Sequence, residues 1–477
     1  MKQVRTRIAP SPTGYPHIGT IYQALFNYAF AKKNDGKFLI RIEDTDRTRF
    51  VEGSEEVIFA AIDWFGLTEN EGPRKGGGKG PYRQSERLEI YHKYAQELLD
   101  KDKAYFAYYP KADAGHPTSL KLRGTREKRH FETTEEPPKT IAEMIARGDW
   151  ILRMRVPKDE DIIVYDAFRG EITFTAEQVS EQVLIKSDGF PTYHLAAIVD
   201  DHLMGVTHVV RGEEWISSAP KHVLLYRYFG WEIPFLYHTP LLRNPDKSKL
   251  SKRHGHTDVR WYQQEGYLPE AILNFLALMG WTHPQEKEIF SLIEFISVFD
   301  LKDIRQVGPI FDLTKLTWMN GMYIREMKRE DLMKVLHTYY TKTNPSVIPV
   351  SDQESLASLL SGKDEKMLEI VALAQSRIDT LKEFYPLITH FLPDATFFVA
   401  NDTKEVAQSL YSEFQKITDW QKDTILEALR VVLKAHSIRM PVLYTIITGQ
   451  ERGLPLPESL EILGKETVLS RLEKLLS

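Results

Sequence analysis

The strongest constraint on the fold is the alternation of strand and helix near the start of the chain. Residues 4–9 are typical of a strand, a loop rich in proline and glycine follows, and Ile18–Lys33 carries apolar residues at helical spacing. A second strand is predicted over residues 37–43, and a second helix over residues 54–65 with Ser54 as its N-cap. Strands and helices that alternate in this way form a parallel sheet, so we predict an α/β fold.

The rest of the chain divides into regions of different pattern. Between residues 94 and 186 the elements become mixed and short, which indicates an insertion, and a strand over residues 207–212 resumes the α/β pattern. After about residue 312 helical periodicity dominates. We therefore predict an α/β domain in two halves, an insertion, a connecting region and an all-helical region, which cover residues 1–93 with 187–245, 94–186, 246–325 and 326–477.

Composition excludes several classes of protein. The 477 residues contain no cysteine, which excludes disulfides and thiolate metal sites. No apolar run reaches the ~18 residues that a membrane-spanning helix requires, and the N-terminus lacks the apolar core of a signal peptide, so we expect a cytoplasmic protein. The formal net charge of −5 gives no sign of a nucleic-acid partner, which would require basic residues gathered on one face.

Residues 9–20, APSPTGYPHIGT, connect the first strand to the first helix and are typical of an anion site. A helix N-terminus offers free backbone N–H groups and the positive end of the helix dipole. His17 can donate to a phosphate oxygen there, Gly19 lets a nucleotide approach the backbone, and the hydroxyl of Thr20 is a further donor. The same letters also fit a plain turn with an incidental histidine, but their position between strand and helix favours the phosphate site.

Residues 249–253, KLSKR, form a basic cluster in a polar loop. Lys249, Ser251 and Lys252 could close over a triphosphate and neutralise the charge that develops as pyrophosphate leaves. The preceding residues 244–247, NPDK, predict a turn, which suits a mobile lid. Taken alone, the cluster fits a solvent-exposed basic loop better than a ligand site.

Four residues suit the binding of an acidic amino acid. Glu43 ends the second predicted strand, where ligands bind in open α/β sheets, and its carboxylate can hold an α-ammonium group. Arg7 and Arg211 also lie within or at the ends of predicted strands, and arginine can grip a carboxylate through two parallel hydrogen bonds. Tyr193 can add a hydroxyl donor. Each residue also fits an ordinary surface ion pair, and only their convergence in space would make a site.

Seven stretches of the sequence carry a family resemblance. They are residues 7–14 (RIAPSPTG), 41–46 (RIEDTD), 80–87 (GPYRQSER), 186–194 (KSDGFPTYH), 199–205 (VDDHLMG), 241–247 (LLRNPDK) and 318–325 (WMNGMYIR). In this order they are similar to the corresponding stretches of bacterial glutamyl-tRNA synthetases. Residues 9–20 and 249–253 resemble the two signatures of the class I aminoacyl-tRNA synthetases, to which that family belongs.

The resemblance implies a Rossmann-type catalytic domain with an acceptor-stem-binding insertion, a stem-contact region and an all-helical anticodon-binding region. It implies that a monomer attaches glutamate to tRNA-Glu through glutamyl-adenylate, with ATP and Mg²⁺, and that tRNA binds before activation. By position it assigns glutamate contacts to Arg7, Glu43, Tyr193 and Arg211, ATP contacts to Ser11, His17, Gly19, Thr20, Lys249, Ser251 and Lys252, and catalytic roles to His17, Lys249 and Lys252.

Some positions depart from the family pattern. Thr20 stands where the first signature often ends in histidine, and Leu250 and Arg253 replace Met and Ser in the second. The hydroxyl of Thr20 can still donate to phosphate, so at that position we expect altered detail and not loss of function. Many members hold zinc through cysteines in the insertion, but residues 105–109, YFAYY, contain none, so we expect no structural zinc.

Two positions in the helical region bear on the anticodon. Arg377 matches a position where members that charge only tRNA-Glu carry arginine, although it also fits a surface helix arginine. Tyr444 stands where members often show an arginine shortly before a Thr-Gly pair, which puts one anticodon contact in doubt.

Other functions remain as alternatives. A non-discriminating enzyme would also charge tRNA-Gln, and the sequence does not separate the two. A glutaminyl-tRNA synthetase would leave a buried Arg211 without a charged partner, at a cost of ~1–3 kcal/mol. The short paralogue that glutamylates a base of tRNA-Asp lacks the region at 326–477. His17, Glu43, Lys249 and Lys252 argue against an inactive RNA-binding relative. A small-molecule nucleotidyltransferase would leave the helical region without a purpose.

Overall fold

The computed structural model of the chain describes residues 2–109, 133–250, 257–362, 365–392, 395 and 403–476. The chain forms two compact units, Met1–Val259 with Leu273–Phe311 and Arg260–Ile272 with Asp312–Ser477. The described strands are β1 (Arg5–Ile8), β2 (Lys37–Ile40), β3 (Ala104–Tyr108), β4 (Trp150–Met154), β5 (Ile162–Asp166), β6 (Gly170–Phe174), β7 (Val183–Ile185), β8 (His208–Gly212) and β9 (Phe235–Thr239).

The described helices are α1 (Ile18–Lys33), α2 (Ser54–Trp64), α3 (Leu88–Asp100), α4 (Ile141–Arg147), α5 (Tyr193–Leu203), α6 (Ala219–Phe229), α7 (Val259–Glu265), α8 (Pro269–Gly280), α9 (Leu292–Val298), α10 (Leu313–Glu326), α11 (Arg329–Thr338), α12 (Val350–Ser361), α13 (Glu365–Gln375), α14 (Phe384–Ile388), α15 (Lys404–Lys416), α16 (Lys422–Ala435), α17 (Met440–Thr448), α18 (Leu456–Leu463) and α19 (Lys465–Leu476). Among them, none combines the length and the apolar character that crossing a bilayer requires.

Parallel strands form the centre of the first unit. β1 pairs with β2, and β8 pairs with β9, in parallel. The N–H of Thr207 donates to the carbonyl of Arg5 at 3.0 Å, which joins β1 to the start of β8. The predicted α/β fold is therefore confirmed, and the carboxyl ends of these strands lie at one edge, where open α/β sheets bind ligands.

The region between the two halves contributes to two different sheets. β3, β4 and β7 form a separate antiparallel sheet. β5, in contrast, pairs in parallel with β9, and β6 pairs antiparallel with β5 at the edge. The sheet of β8 and β9 therefore extends into residues 94–186, which the sequence pattern assigned to the insertion alone.

Local signals near the N-terminus explain the helix boundaries. α1 spans the predicted Ile18–Lys33, with His17 as its N-cap. The prediction that Ser54 caps α2 is wrong. Gly53 is the N-cap with φ +76°, a left-handed conformation that glycine adopts without a Cβ penalty, and the hydroxyl of Ser54 donates to the Val51 carbonyl at 2.5 Å.

The described regular elements of the second unit are helices. Amphipathic helices such as α15 and α16 bury their apolar faces together, because helical propensity alone is too weak to hold short helices in water. One apolar core gathers residues of α10 to α14, and another gathers residues of α15 to α19. The predicted helical C-terminal region is confirmed.

Candidate active site

A cavity of about 420 Å³ lies in the first unit at the carboxyl ends of β1, β8 and β9. Its lining comes from these strand ends, the loops after β1, β2 and β8, the starts of α1 and α5, and residues 240–242 and 249–250. The predicted site residues that line it are Arg7, Ser11, His17, Gly19, Thr20, Glu43, Tyr193, Arg211 and Lys249. Residues that are up to 242 positions apart in sequence therefore share one cavity.

His17 organises the start of α1. Its Nδ1 accepts a hydrogen bond from the Gly19 N–H at 2.9 Å, so the ring proton of the neutral imidazole is on Nε2, which is then a donor. A Cβ on residue 19 would lie 3.0 Å from His17 Nδ1, so glycine avoids crowding the ring. The residue that begins the helix therefore also presents a donor at the cavity.

The expectation of free backbone N–H groups at this helix start is wrong for its first three residues. The N–H of Ile18 donates to Thr257 at 2.7 Å, that of Gly19 to His17 Nδ1, and that of Thr20 to the His17 carbonyl at 2.7 Å. An anion here would meet the helix dipole and the side chains of His17 and Thr20 instead of these amides.

Arg7 and Glu43 belong to a buried ladder of alternating charges. Arg7 donates from Nε and Nη2 to the two carboxylate oxygens of Asp201, at 3.1 Å each. Arg41, which is fully buried, donates to Asp201 at 2.7 Å and to Glu43 at 3.0 Å. The carboxylate of Asp201 thus joins both arginines, and their bonds lower its pKa despite its burial.

Glu43 lies three residues beyond the end of β2, and not within the strand as the sequence pattern suggested. Its N–H donates to the Pro10 carbonyl at 3.0 Å, which fixes it beside the loop after β1. Burial raises the pKa of its carboxyl, and the opposing effect of Arg41 does not cancel that rise. A cationic group placed beside Glu43 would favour its charged form.

Arg211, at the carboxyl end of β8, is only 7% exposed and its described hydrogen-bond partners are neutral. Its Nε donates to His238 Nε2 at 3.0 Å, and its Nη1 donates to the Tyr193 hydroxyl at 3.2 Å and to His222 Nδ1 at 3.1 Å. Its Nη2 is buried and has no hydrogen-bond partner among the described residues. A buried cation with a donor left over is a site for an anion.

The basic cluster is described only up to Leu250, and Ser251, Lys252 and Arg253 lie outside the described residues. The predicted turn is present, since the Lys247 N–H donates to the Asn244 carbonyl at 2.8 Å. Lys249 remains 60% exposed, with its Nζ 3.9 Å from Glu214 Oε1. Leu250 is buried and anchors the start of the cluster at the cavity.

Arg377 is not part of this cavity. It belongs to the second unit, where it lies two residues beyond the end of α13, and its side chain is exposed. Within the described ranges, no group of three or more His, Asp or Glu side chains is arranged as a metal site.

Sequence patterns did not indicate the residues that hold the predicted site residues in place through hydrogen bonds. Arg41 and Asp201 lie inside two of the family-like stretches, but no local pattern assigns them a role, and none indicates His222 or His238. A signal was available for Asp201, because Asp200 and Asp201 interrupt a buried apolar helix. Acidic residues at such positions require cationic partners.

The chain matches two protein-family models. Residues 3–318 match the class I tRNA synthetases (E and Q), catalytic domain, and residues 331–476 match an anticodon binding domain.

Full-length relatives and solved structures are also similar to this chain. A glutamate–tRNA ligase of Thermus thermophilus is 43% identical over 489 residues, covering 99% of this chain and 100% of that protein. One of Pseudomonas fluorescens is 40% identical over 490 residues, covering 99% and 95%. The crystal structure of a glutamate tRNA ligase from Elizabethkingia meningosepticum in complex with its amino acid has a TM-score of 0.79 at 32% identity, covering 100% of this chain and 99% of that one.

Proposed function

This chain belongs to the class I tRNA synthetases for glutamate and glutamine, and we propose that its cavity joins glutamate to ATP and then to tRNA. The overall activity is that of a glutamate–tRNA ligase, as in full-length relatives 40–43% identical to it. In the first step an α-carboxylate oxygen of glutamate attacks the α-phosphorus of ATP and pyrophosphate leaves. In the second, a hydroxyl of the terminal tRNA ribose attacks the glutamyl carbonyl and AMP leaves.

The observation that carries this proposal is the charge of the cavity. Arg211 is a buried cation with neutral described partners, whereas Glu43 is a carboxylate in the same cavity. Glutamate fits this arrangement with its side-chain carboxylate at Arg211 and its α-ammonium at Glu43. The hydroxyl of Tyr193, which accepts a hydrogen bond from Arg211, keeps its own hydrogen for the substrate. Arg7 is proposed as a further contact to glutamate.

The remaining lining suits ATP. We assign the triphosphate to Ser11, His17, Gly19, Thr20 and Lys249, with Ser251 and Lys252 closing from the basic loop. The Nε2–H of His17 and the ammonium groups of the lysines would stabilise charge on the departing pyrophosphate. Mg²⁺ is proposed to enter as part of the nucleotide, held mainly by phosphate oxygens and water.

The helical unit is proposed to bind the anticodon of tRNA-Glu, with Arg377 as one contact. The enzyme is proposed to act as a monomer in the cytoplasm, where translation takes place.

Aminoacylation of purified tRNA-Glu and tRNA-Gln with labelled glutamate tests the proposed attachment of glutamate to tRNA. Charging of tRNA-Glu is the expected result, charging of both would identify the non-discriminating form, and charging of neither would contradict the proposal.

Replacement of Lys252 with alanine is expected to slow adenylate formation at least a hundredfold, because loss of one donor to developing charge in an active site costs about 10²–10³ in kcat. The affinity for tRNA should change little. Pyrophosphate exchange measures the rate, and filter binding measures the affinity. The control is Lys302→Ala, which removes a lysine that is 76% exposed in the same unit. An unaltered rate in Lys252→Ala would show that this loop does not act on the triphosphate.

A further inference from the structure

The guanidinium of Arg211 uses three of its five N–H donors on neutral acceptors. These are His238 Nε2, His222 Nδ1 and the Tyr193 hydroxyl, at 3.0, 3.1 and 3.2 Å. The two hydrogens of Nη2 have no partner among the described residues. Among the described residues, therefore, none of the acceptors that this guanidinium contacts is a carboxylate.

Both histidines are held in the tautomer that this arrangement requires. His238 can accept at Nε2 only when its proton is on Nδ1, which lies 2.7 Å from Asp166 Oδ2. His222 can accept at Nδ1 only when its proton is on Nε2, which lies 3.1 Å from His194 Nδ1. Burial lowers the pKa of His238, and it lowers the pKa of His222 well below the ordinary value, so both rings are neutral at neutral pH.

Arg7 in the same cavity provides an internal comparison. Its guanidinium donates twice to the carboxylate of Asp201, so its charge is already compensated within the protein. The carboxylate nearest to Arg211 in its hydrogen-bond chain, Asp166, is separated from it by the whole ring of His238. The two arginines therefore differ in how much charge each has left for a ligand.

We infer that His222 and His238 are positioning residues that fix Arg211 through neutral acceptors and so reserve its charge for the side-chain carboxylate of the substrate. Asp166 and His194 set the tautomers of the two rings. The inference rests on the proposed function, since it takes glutamate as the amino acid. It adds that discrimination against glutamine depends on the neutrality of residues that do not themselves touch the substrate.

The decisive variants are His222→Asn and His222→Asp, which have the same shape and differ in charge. The amide oxygen of Asn can accept near the place of Nδ1, so this variant should retain a KM for glutamate within about threefold of the wild type. The carboxylate of Asp would pair with Arg211 and should raise the KM for glutamate by roughly 10- to 100-fold, as expected for loss of a hydrogen bond between charged groups. The KM for glutamine should change less than about threefold in His222→Asp, because its amide does not need the charge.

Pyrophosphate exchange with tRNA present measures these constants for glutamate, glutamine and ATP. The KM for ATP should stay within about threefold in both variants, since the rings contact Arg211 and not the lining assigned to the triphosphate. If His222→Asp does not fold, His238→Gln and His238→Leu serve instead, because Gln can place an oxygen near Nε2 and Leu cannot. The Leu variant should then raise the KM for glutamate by about tenfold and the Gln variant by less.

Two results would overturn the inference. In the first, the wild-type enzyme uses glutamate, but the ratio of the KM for glutamate to the KM for glutamine is the same in His222→Asn and in His222→Asp. The other is an equal rise in the KM for glutamate and for ATP, which would indicate a general structural role. Absence of glutamate-dependent exchange in the wild type would contradict the proposed function itself, and the inference with it.

Discussion

Replacement of Arg211 with alanine is expected to lower kcat/KM for glutamate by about 10²- to 10³-fold, because truncating one partner of a buried charge pair typically costs about 2–5 kcal/mol. The KM for ATP should change by less than about threefold, since ATP is assigned to the other lining residues. Pyrophosphate exchange with either substrate varied gives both constants.

The Arg211→Ala variant should fold, which makes the measurement interpretable. The side chains left behind are two neutral histidines and a tyrosine, so no uncompensated charge remains among these partners. The matched control is Arg227→Ala on α6, because that arginine is 45% exposed and pairs only with the exposed Glu160 among its described partners. Equal losses for glutamate and ATP in Arg211→Ala would contradict the assignment of the pocket.

Replacement of Asp201 with asparagine is expected to destabilise the first unit by about 3–5 kcal/mol, the usual cost of removing one partner from a buried ion pair. Asp201 is 2% exposed and compensates both Arg7 and Arg41, which are buried with it. Native-state hydrogen exchange of the β1 and β2 amides measures the loss without requiring that the whole chain unfold in one step.

The effect of Asp201→Asn should depend on pH. The pKa of Asp201 is lowered in the folded protein, so its stabilising contribution is present above the pKa of the unfolded chain and is lost as pH falls through the folded value. The difference in free energy of unfolding between variant and wild type should therefore reach its full size above about pH 5 and become smaller in stronger acid. The control is Glu160→Gln in an exposed pair, which should cost less than about 1 kcal/mol. A similar cost for both variants would contradict the role given to Asp201.

Local sequence signals predicted the parts of the fold that are determined locally. The first strand and α1 follow from their residue patterns, the loop between them follows from its proline and glycine residues, and α1 has its predicted bounds. The resemblance to a family predicted the class of enzyme, which the full-length relatives confirm. The roles of individual site residues stay predictions, although nine of the predicted residues line one cavity.

Contacts across the fold were beyond the reach of sequence patterns. Asp201 meets Arg7 across 194 positions of sequence and Arg41 across 160, and nothing in the spacing of either stretch specifies that pairing. The prediction that the N-terminal amides of α1 are free is wrong because two of them have partners that no local pattern specifies. One partner is the carbonyl of Thr257, which is distant in sequence, and the other is the side chain of His17, which turns back onto the helix. Such partners depend on how the chain returns to the same edge.

Pyrophosphate exchange with glutamate, glutamine and aspartate, each with and without tRNA-Glu, tests most directly whether the cationic cavity selects its substrate by charge and length. We expect exchange with glutamate in the presence of tRNA, and an apparent preference over glutamine of roughly 10- to 100-fold, the cost of leaving the charge of Arg211 without its partner. Aspartate, which carries the charge on a shorter side chain, should support little exchange. Exchange with glutamine as fast as with glutamate would contradict the account.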